Sequence, residues 1–509
     1  MTTRPALVVR LLLLLLVLAL VTVAVGGARP ASGAQDEARG LVQAYLDRSP
    51  ASALAVAVVD DGTVEVSGYG QDEQGADVDG GTRFRIASLS KSFTAAVVMR
   101  LAGRGELDLD APLTATLPEF TMADDRAGRI TLRMLLAHTS GLGDGSTRDL
   151  GQPGWTDPEV LLADLREETL GSDPGTRHVY SNTGYALAAV AVERATGHPF
   201  DAVLQAELLG PLGMRATTSV PDCAGEVEGV GTGHTAVFGR VVPFPEPHDT
   251  CLGSGGMVST ADDLARWARF QAGDGRAPGG ERLLSPEDLR ELHTAQPGTE
   301  GVGGYGLGWS FAEQDGFGFL EHDGAMVTWT SHLSIVRAPD GRPTGDAAVV
   351  LADTVGAPGP LARALAADAA GGTGTLPDQS LIRPATVSAV LMVLVVLAGA
   401  VGLVRSRSWP DRRHRVASRV AGLLGPAALG ALCVVLPNLL ARYAYGSPMG
   451  VPTAWSWGAG LLPEPVLLIA LTGLTALLVL LARLVSLTGA PRARTNGPIR
   501  LRGSTRSVP

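Results

Sequence analysis

The sequence predicts an α/β (α+β) fold, an antiparallel sheet flanked by helices with a helical lobe beside it, followed by C-terminal transmembrane helices. Strand-like stretches lie near both ends of the first 370 residues with helical patterns between them, so the two ends are expected to pair in one sheet while the middle forms the lobe. Beyond a linker come three apolar runs, each about 20 residues long, the length that a bilayer core requires. Charge divides at the same places: residues 35–380 carry 24 basic and 49 acidic side chains, whereas the two ends together carry 17 and 2. An acidic body with basic, apolar ends speaks against a nucleic-acid partner and for a domain tethered to a lipid bilayer.

In chain order, Arg4 and Arg10 precede an apolar run from Leu11 to Val25 and small residues to Ala34, which reads as an export signal over 1–34 or, if retained, a signal anchor. The body, 35–370, opens with helical spacing from Asp36 to Arg48. Ala53 to Val59 and Val64 to Tyr69 then flank an Asp60-Asp61-Gly62 turn, a hairpin signal. Helix starts follow at Thr131 (into Leu132 to Ala137), at Thr156-Asp157-Pro158 (into Glu159 to Glu168), at Gly184 (to Thr196, closed by Gly197), at Thr260 (into Ala261 to Gln271) and at Ser285-Pro286. Strand patterns return at Leu307 to Ala312, Gly318 to His322, Ser331 to Arg337 and Ala347 to Ala352, and Pro360 to Ala370 reads as the last helix of the body.

A Gly-, Thr- and Pro-rich linker, 371–384, leads to the apolar spans near 385–404, 420–441 and 463–482 within the region 385–482. Six Arg lie in 405–419 and six in 483–509, whereas the loop between, with Trp455 and Trp457, holds Arg442 alone. The arginine-rich flanks are expected on the cytoplasmic side, which makes 483–509 a basic cytoplasmic tail. The expectation is a multi-pass plasma-membrane protein with its body extracytoplasmic. In that oxidising setting Cys223 and Cys251 are a candidate disulfide, two free buried thiols being the alternative; Cys433 lies in an apolar span.

The chemistry is expected around Ser88-Leu89-Ser90-Lys91. The chain has 41 basic residues, and Lys91 is the one lysine among them. Arginine cannot serve as a base, whereas a lysine can give up its proton, so a lysine kept here is a candidate for proton transfer. Ser88, three residues earlier, shares a helical face with it at the expected N-terminus of a helix ending at Gly103. Tyr180-Ser181-Asn182 stands just before the Gly184 helix; a Tyr hydroxyl beside an ammonium can relay the serine proton, and an Asn amide can hold a substrate amide. His322-Asp323-Gly324 ends an expected strand, where a cation and a glycine would let a substrate lie along the strand edge. His138 reads as structural. No His or Cys grouping has metal-ligand spacing, and no cofactor is expected.

The order Ser88-x-x-Lys91, Tyr180-x-Asn182, His322-x-Gly324 resembles the serine β-lactamase and penicillin-binding DD-peptidase superfamily. It looks most like the branch with class C type β-lactamases, DD-carboxypeptidases, D-aminopeptidases and related esterases. Leu135 to Leu142, Leu209 to Met214 and Gly255-Gly256-Met257 are similar to that branch too, so the resemblance covers roughly residues 40–370. It implies a β-lactamase/transpeptidase-like fold, Ser88 as acylated nucleophile, Lys91 and Tyr180 as the proton-handling pair, Asn182 as substrate contact, and an oxyanion hole from the backbone amides of Ser88 and Ala325. The implied partners are a small peptide, amide or ester substrate and the bilayer. True class C β-lactamases of the family carry Lys where this chain has His322, so peptidase or esterase chemistry is expected over dedicated β-lactam hydrolysis. A class C-like β-lactamase and a non-catalytic penicillin or cell-wall sensor are the alternatives.

Overall fold

The computed structural model describes residues 34–49, 51–143, 156–377, 384–412, 416–445 and 451–488; the expected export segment, parts of the linker and most of the basic tail lie outside the described residues. The body opens with helix α1 (Ala34–Leu46) and the hairpin of β1 (Ala53–Asp60) and β2 (Thr63–Gly70). Asp61 and Gly62 turn that hairpin, both at positive φ, the turn whose twist matches the strands. Then come β3 (Phe84–Arg85), α2 (Ser90–Gly103), α3 (Leu132–Leu136), α4 (Pro158–Leu165) and α5 (Asn182–Thr196). Next are β4 (Thr218–Ser219), β5 (His234–Val237), β6 (Arg240–Pro243), β7 (Met257–Ser259), α6 (Ala261–Ala272) and α7 (Pro286–Leu292). The body closes with β8 (Ser310–Gln314), β9 (Phe317–Ala325), β10 (Thr330–Arg337), β11 (Pro343–Ala352) and α8 (Gly359–Ala369).

Six strands form one antiparallel sheet in the order β2-β1-β11-β10-β9-β8, so the two ends of the body meet where Leu54 faces Ala352. Alternate residues of β1 serve two cores. Ala53, Ala55, Ala57 and Val59 point into the larger core shared with α2, α5 and α6, and Leu54 and Val56 point into a smaller one beneath α1 and α8. Helices thus cover both faces, and the helical lobe is built on the larger core.

The elements depart from the sequence expectation in three places. The strand expected from Leu307 begins only at Ser310, because Gly308 takes a left-handed φ of 78° and Leu307 and Trp309 are buried outside the sheet. The short sheet β3-β7-β4 and the hairpin β5-β6 had no legible signal, being two to four residues per strand. The region expected as a loop around Trp455 and Trp457 is a helix, α11 (Val451–Leu461), lying between α10 (Val416–Tyr445) and α12 (Pro463–Thr488). With α9 (Pro384–Ser406), α10 and α12 are the helices long and apolar enough to cross a membrane among the described residues, and α12 packs against both of the others.

Candidate active site

Ser88 stands at an elbow between the small sheet and the helical lobe. β3 ends at Arg85, and Ala87 then takes a left-handed conformation (φ 47°), a strain of roughly 1 kcal/mol or more for a residue with a Cβ. Ser88 therefore lies in a single 3-10 turn, Ala87–Leu89, just ahead of α2 rather than in the first turn of the α-helix itself. Neighbours hold the turn. Ser90 Oγ donates to the Ala87 carbonyl at 2.6 Å and accepts from Met257 N–H at 3.2 Å, while Ser331 Oγ donates to the Ile86 carbonyl at 2.7 Å. Gly324 on β9 lies so close that a Cβ there would come 2.2 Å from the Ile86 carbonyl oxygen. In the structure, this close approach of sheet to elbow is what requires glycine at that position.

Lys91 follows on α2 and is fully buried. Its ammonium donates to Ser88 Oγ at 3.1 Å, to Asn182 Oδ1 at 2.8 Å and to the Ser254 carbonyl at 2.7 Å, so each of its three protons has an oxygen. Tyr180, 41 % exposed, donates its hydroxyl to Ser88 Oγ at 2.8 Å, and its ring centroid lies 4.8 Å from Lys91 Nζ. Ser181 is the N-cap of α5, accepting from Gly184 N–H at 3.1 Å. That cap explains the Tyr-x-Asn spacing: Tyr180 leaves the loop before the cap, Asn182 opens the helix after it, and both reach Lys91.

The His322 side chain is buried beneath the site, while its strand runs on past the end of β8, which pairs with β9 only as far as Glu321. His322 is 2 % exposed, and its Nδ1 faces only the Asp323 carbonyl, at 2.6 Å, so that nitrogen carries the proton. Nε2 then accepts the Tyr305 hydroxyl at 2.9 Å. Burial, with Lys91 adding to it against the pull of Asp323, lowers its pKa to about 4. The strand-end cation expected here is therefore a neutral ring near pH 7. Ala325 ends β9 opposite Thr330, one residue beyond Gly324, and is exposed.

Several contributors escaped the sequence reading. His138, set aside as structural, is buried at φ 58°; its Nδ1 accepts from Ser181 N–H at 3.1 Å and its ring packs 4.3 Å from that of Tyr180. Burial first, and then the charge of Lys91, holds it well below the usual imidazole range, so it too is neutral. It fixes the segment that carries Tyr180. Tyr185 and Tyr305 complete the aromatic floor around it, and burial raises the pKa of both. Ser254 acts through a backbone carbonyl, which has no sequence signature. Its loop is pinned by a disulfide between Cys223 and Cys251, whose Cα atoms are 5.1 Å apart. Among the described residues no cluster of His, Cys, Asp or Glu is arranged to hold a metal ion.

A serine met by a buried lysine and a tyrosine, at the seam between an antiparallel sheet and a helical lobe, is the candidate active site, and it suits a serine hydrolase. The chain belongs to the β-lactamase family, whose model matches residues 38–371. It is similar to penicillin-binding protein 4 of Amycolatopsis lactamdurans, 33 % identical over 300 residues that cover 56 % of this chain and 77 % of that protein. It is also similar to esterase EstB of Burkholderia gladioli, 32 % identical over 319 residues covering 55 % and 76 %. A D-aminopeptidase of Brucella ovis is 29 % identical over 256 residues, 49 % of this chain and 46 % of that protein.

Proposed function

We propose that this serine hydrolase works outside the cytoplasm, held at the plasma membrane by its three apolar helices, and acts through an acyl-enzyme on D-amino acid-containing peptides or small amides and esters. The observation that carries the reading is Ser88 Oγ within hydrogen-bond distance of both Lys91 Nζ and Tyr180 Oη. Once the Tyr180 and Lys91 pair has given up one proton, Ser88 Oγ attacks the substrate carbonyl carbon while its own proton passes to that pair. The carbonyl oxygen, now negative, is met by the backbone N–H groups of Ser88 and Ala325. Asn182, its Oδ1 on Lys91, contacts the substrate amide through its side-chain nitrogen. Collapse breaks the bond to the leaving amine or alcohol, which takes the proton back from the pair. Water then attacks the acyl ester, delivers a proton to the same pair, and the acid leaves as Ser88 is re-protonated.

The substrate class draws support from the relatives, named a penicillin-binding protein, an esterase and a D-aminopeptidase. The neutral His322 favours amides and esters over β-lactams bound by their carboxylate. The test is a screen of the purified full-length protein against D-amino acyl amides, small esters and nitrocefin. Multiple turnovers on at least one amide or ester with slow or negligible nitrocefin hydrolysis are expected; faster cephalosporin hydrolysis than any of these identifies a β-lactamase, and a single stoichiometric acylation identifies a sensor.

A further inference from the structure

The turn Met326-Val327-Thr328-Trp329 joins β9 to β10 directly after Ala325, and two unrelated parts of the chain grip it. Glu246 accepts from Val327 N–H at 3.0 Å, Thr328 N–H at 2.9 Å and Thr328 Oγ1 at 2.6 Å. On the other side lies α11, the helix between the second and third apolar spans. Its Gly460 meets Val327 and Phe244 so closely that a Cβ would come 2.1 Å from Val327 Cγ1 and 3.0 Å from Phe244 Cε1. The seat is hydrogen-bonded as well: Thr235 Oγ1 donates to the Gly460 carbonyl at 2.6 Å, and Phe238 N–H donates to Glu464 Oε1 at 2.7 Å, at the start of α12.

From this contact we infer that the membrane anchor is a positioning element of the catalytic site: α11, through Gly460 and Val327, sets the β9–β10 turn and with it the Ala325 N–H. The inference rests on the reading of that N–H as an oxyanion donor. Valine has little χ1 freedom, so displacement at Val327 passes into the backbone of the turn. The Ala325 amide lies two residues from the contact. An oxyanion donor acts on the transition state more than on the bound substrate, so a shifted turn should lower kcat while leaving KM nearly unchanged.

The experiment uses the full-length protein in detergent micelles with a p-nitrophenyl ester. Gly460→Ala is expected to lower kcat at least about tenfold, below the 10²–10³-fold loss typical when a donor is removed outright, with KM within about twofold. Val327→Ala vacates the space the new Cβ needs, so Gly460→Ala combined with Val327→Ala is expected to recover most of the lost kcat. Wild-type kcat in Gly460→Ala, a loss confined to KM, or a loss that Val327→Ala does not relieve would each overturn the inference. A protein whose wild type and Ser88→Ala forms cleave the ester equally would instead refute the hydrolase reading beneath it.

Discussion

The hydroxyls of Tyr180 and Ser88 stand 2.8 Å apart although 92 residues separate them in the chain. The left-handed Ala87 aims the serine out of its turn, and the Ser181 cap with His138 behind it aims the tyrosine toward it. Two rigid local devices thus create one proton path. Tyr180→Phe removes the path and little packing, because the ring and its contact with His138 are kept. A loss in kcat of about 10²–10⁴, the usual share of a general acid–base group, is expected with an unchanged melting temperature. Steady-state kinetics beside a thermal melt check it; near-normal kcat contradicts the role.

Lys91→Arg keeps the charge and removes the ability to give up a proton. It also forces a planar guanidinium into a fully buried seat shaped by Ser88, Asn182 and Ser254. Turnover is expected to fall below detection. Wild-type-like turnover would remove Lys91 from the mechanism.

The buried His322 makes stability depend on pH. Its ordinary pKa of 6.5 in the unfolded chain falls to about 4 in the fold, so between those values the unfolded chain binds more protons and the fold loses stability as pH drops. The integrated effect is about 3 kcal/mol, complete near pH 4. His293, lowered by burial to about 3, adds a contribution of the same sign that continues below pH 4. Urea unfolding of wild type and His322→Asn at pH 7 and pH 4 measures the His322 share: the variant should lose about 3 kcal/mol less over that interval, and equal losses would contradict a neutral buried ring.

The arginine asymmetry around the apolar helices predicts sidedness. Protease added to spheroplasts should digest the body, while a tag after Pro509 stays protected. A tag cleaved from outside would overturn the three-span arrangement.

The sheet's closure by β1 and β11 was legible because continuous apolar runs, turn residues and strand order survive in sequence. Ser88, Lys91, Tyr180 and Asn182 were legible because a lone lysine and a lone Tyr-x-Asn are rare in this composition. His322 was legible as a position but not as a state, since its neutrality comes from burial in the folded chain, with the charge of Lys91 adding to it. Gly324 was noticed for its neighbour and is explained by the Ile86 carbonyl, a contact between segments 238 residues apart. The left-handed Ala87 and the Ser254 carbonyl left no trace, because neither depends on a side chain that announces it.

The central claim is that Ser88 becomes covalently acylated, and peptide mass spectrometry after treatment of the full-length protein with a fluorophosphonate tests it most directly. The adduct is expected on the peptide containing Ser88, with no labelling of Ser88→Ala and greatly slowed labelling of Lys91→Arg. An adduct on any other residue, or labelling that persists in Ser88→Ala, would contradict the account.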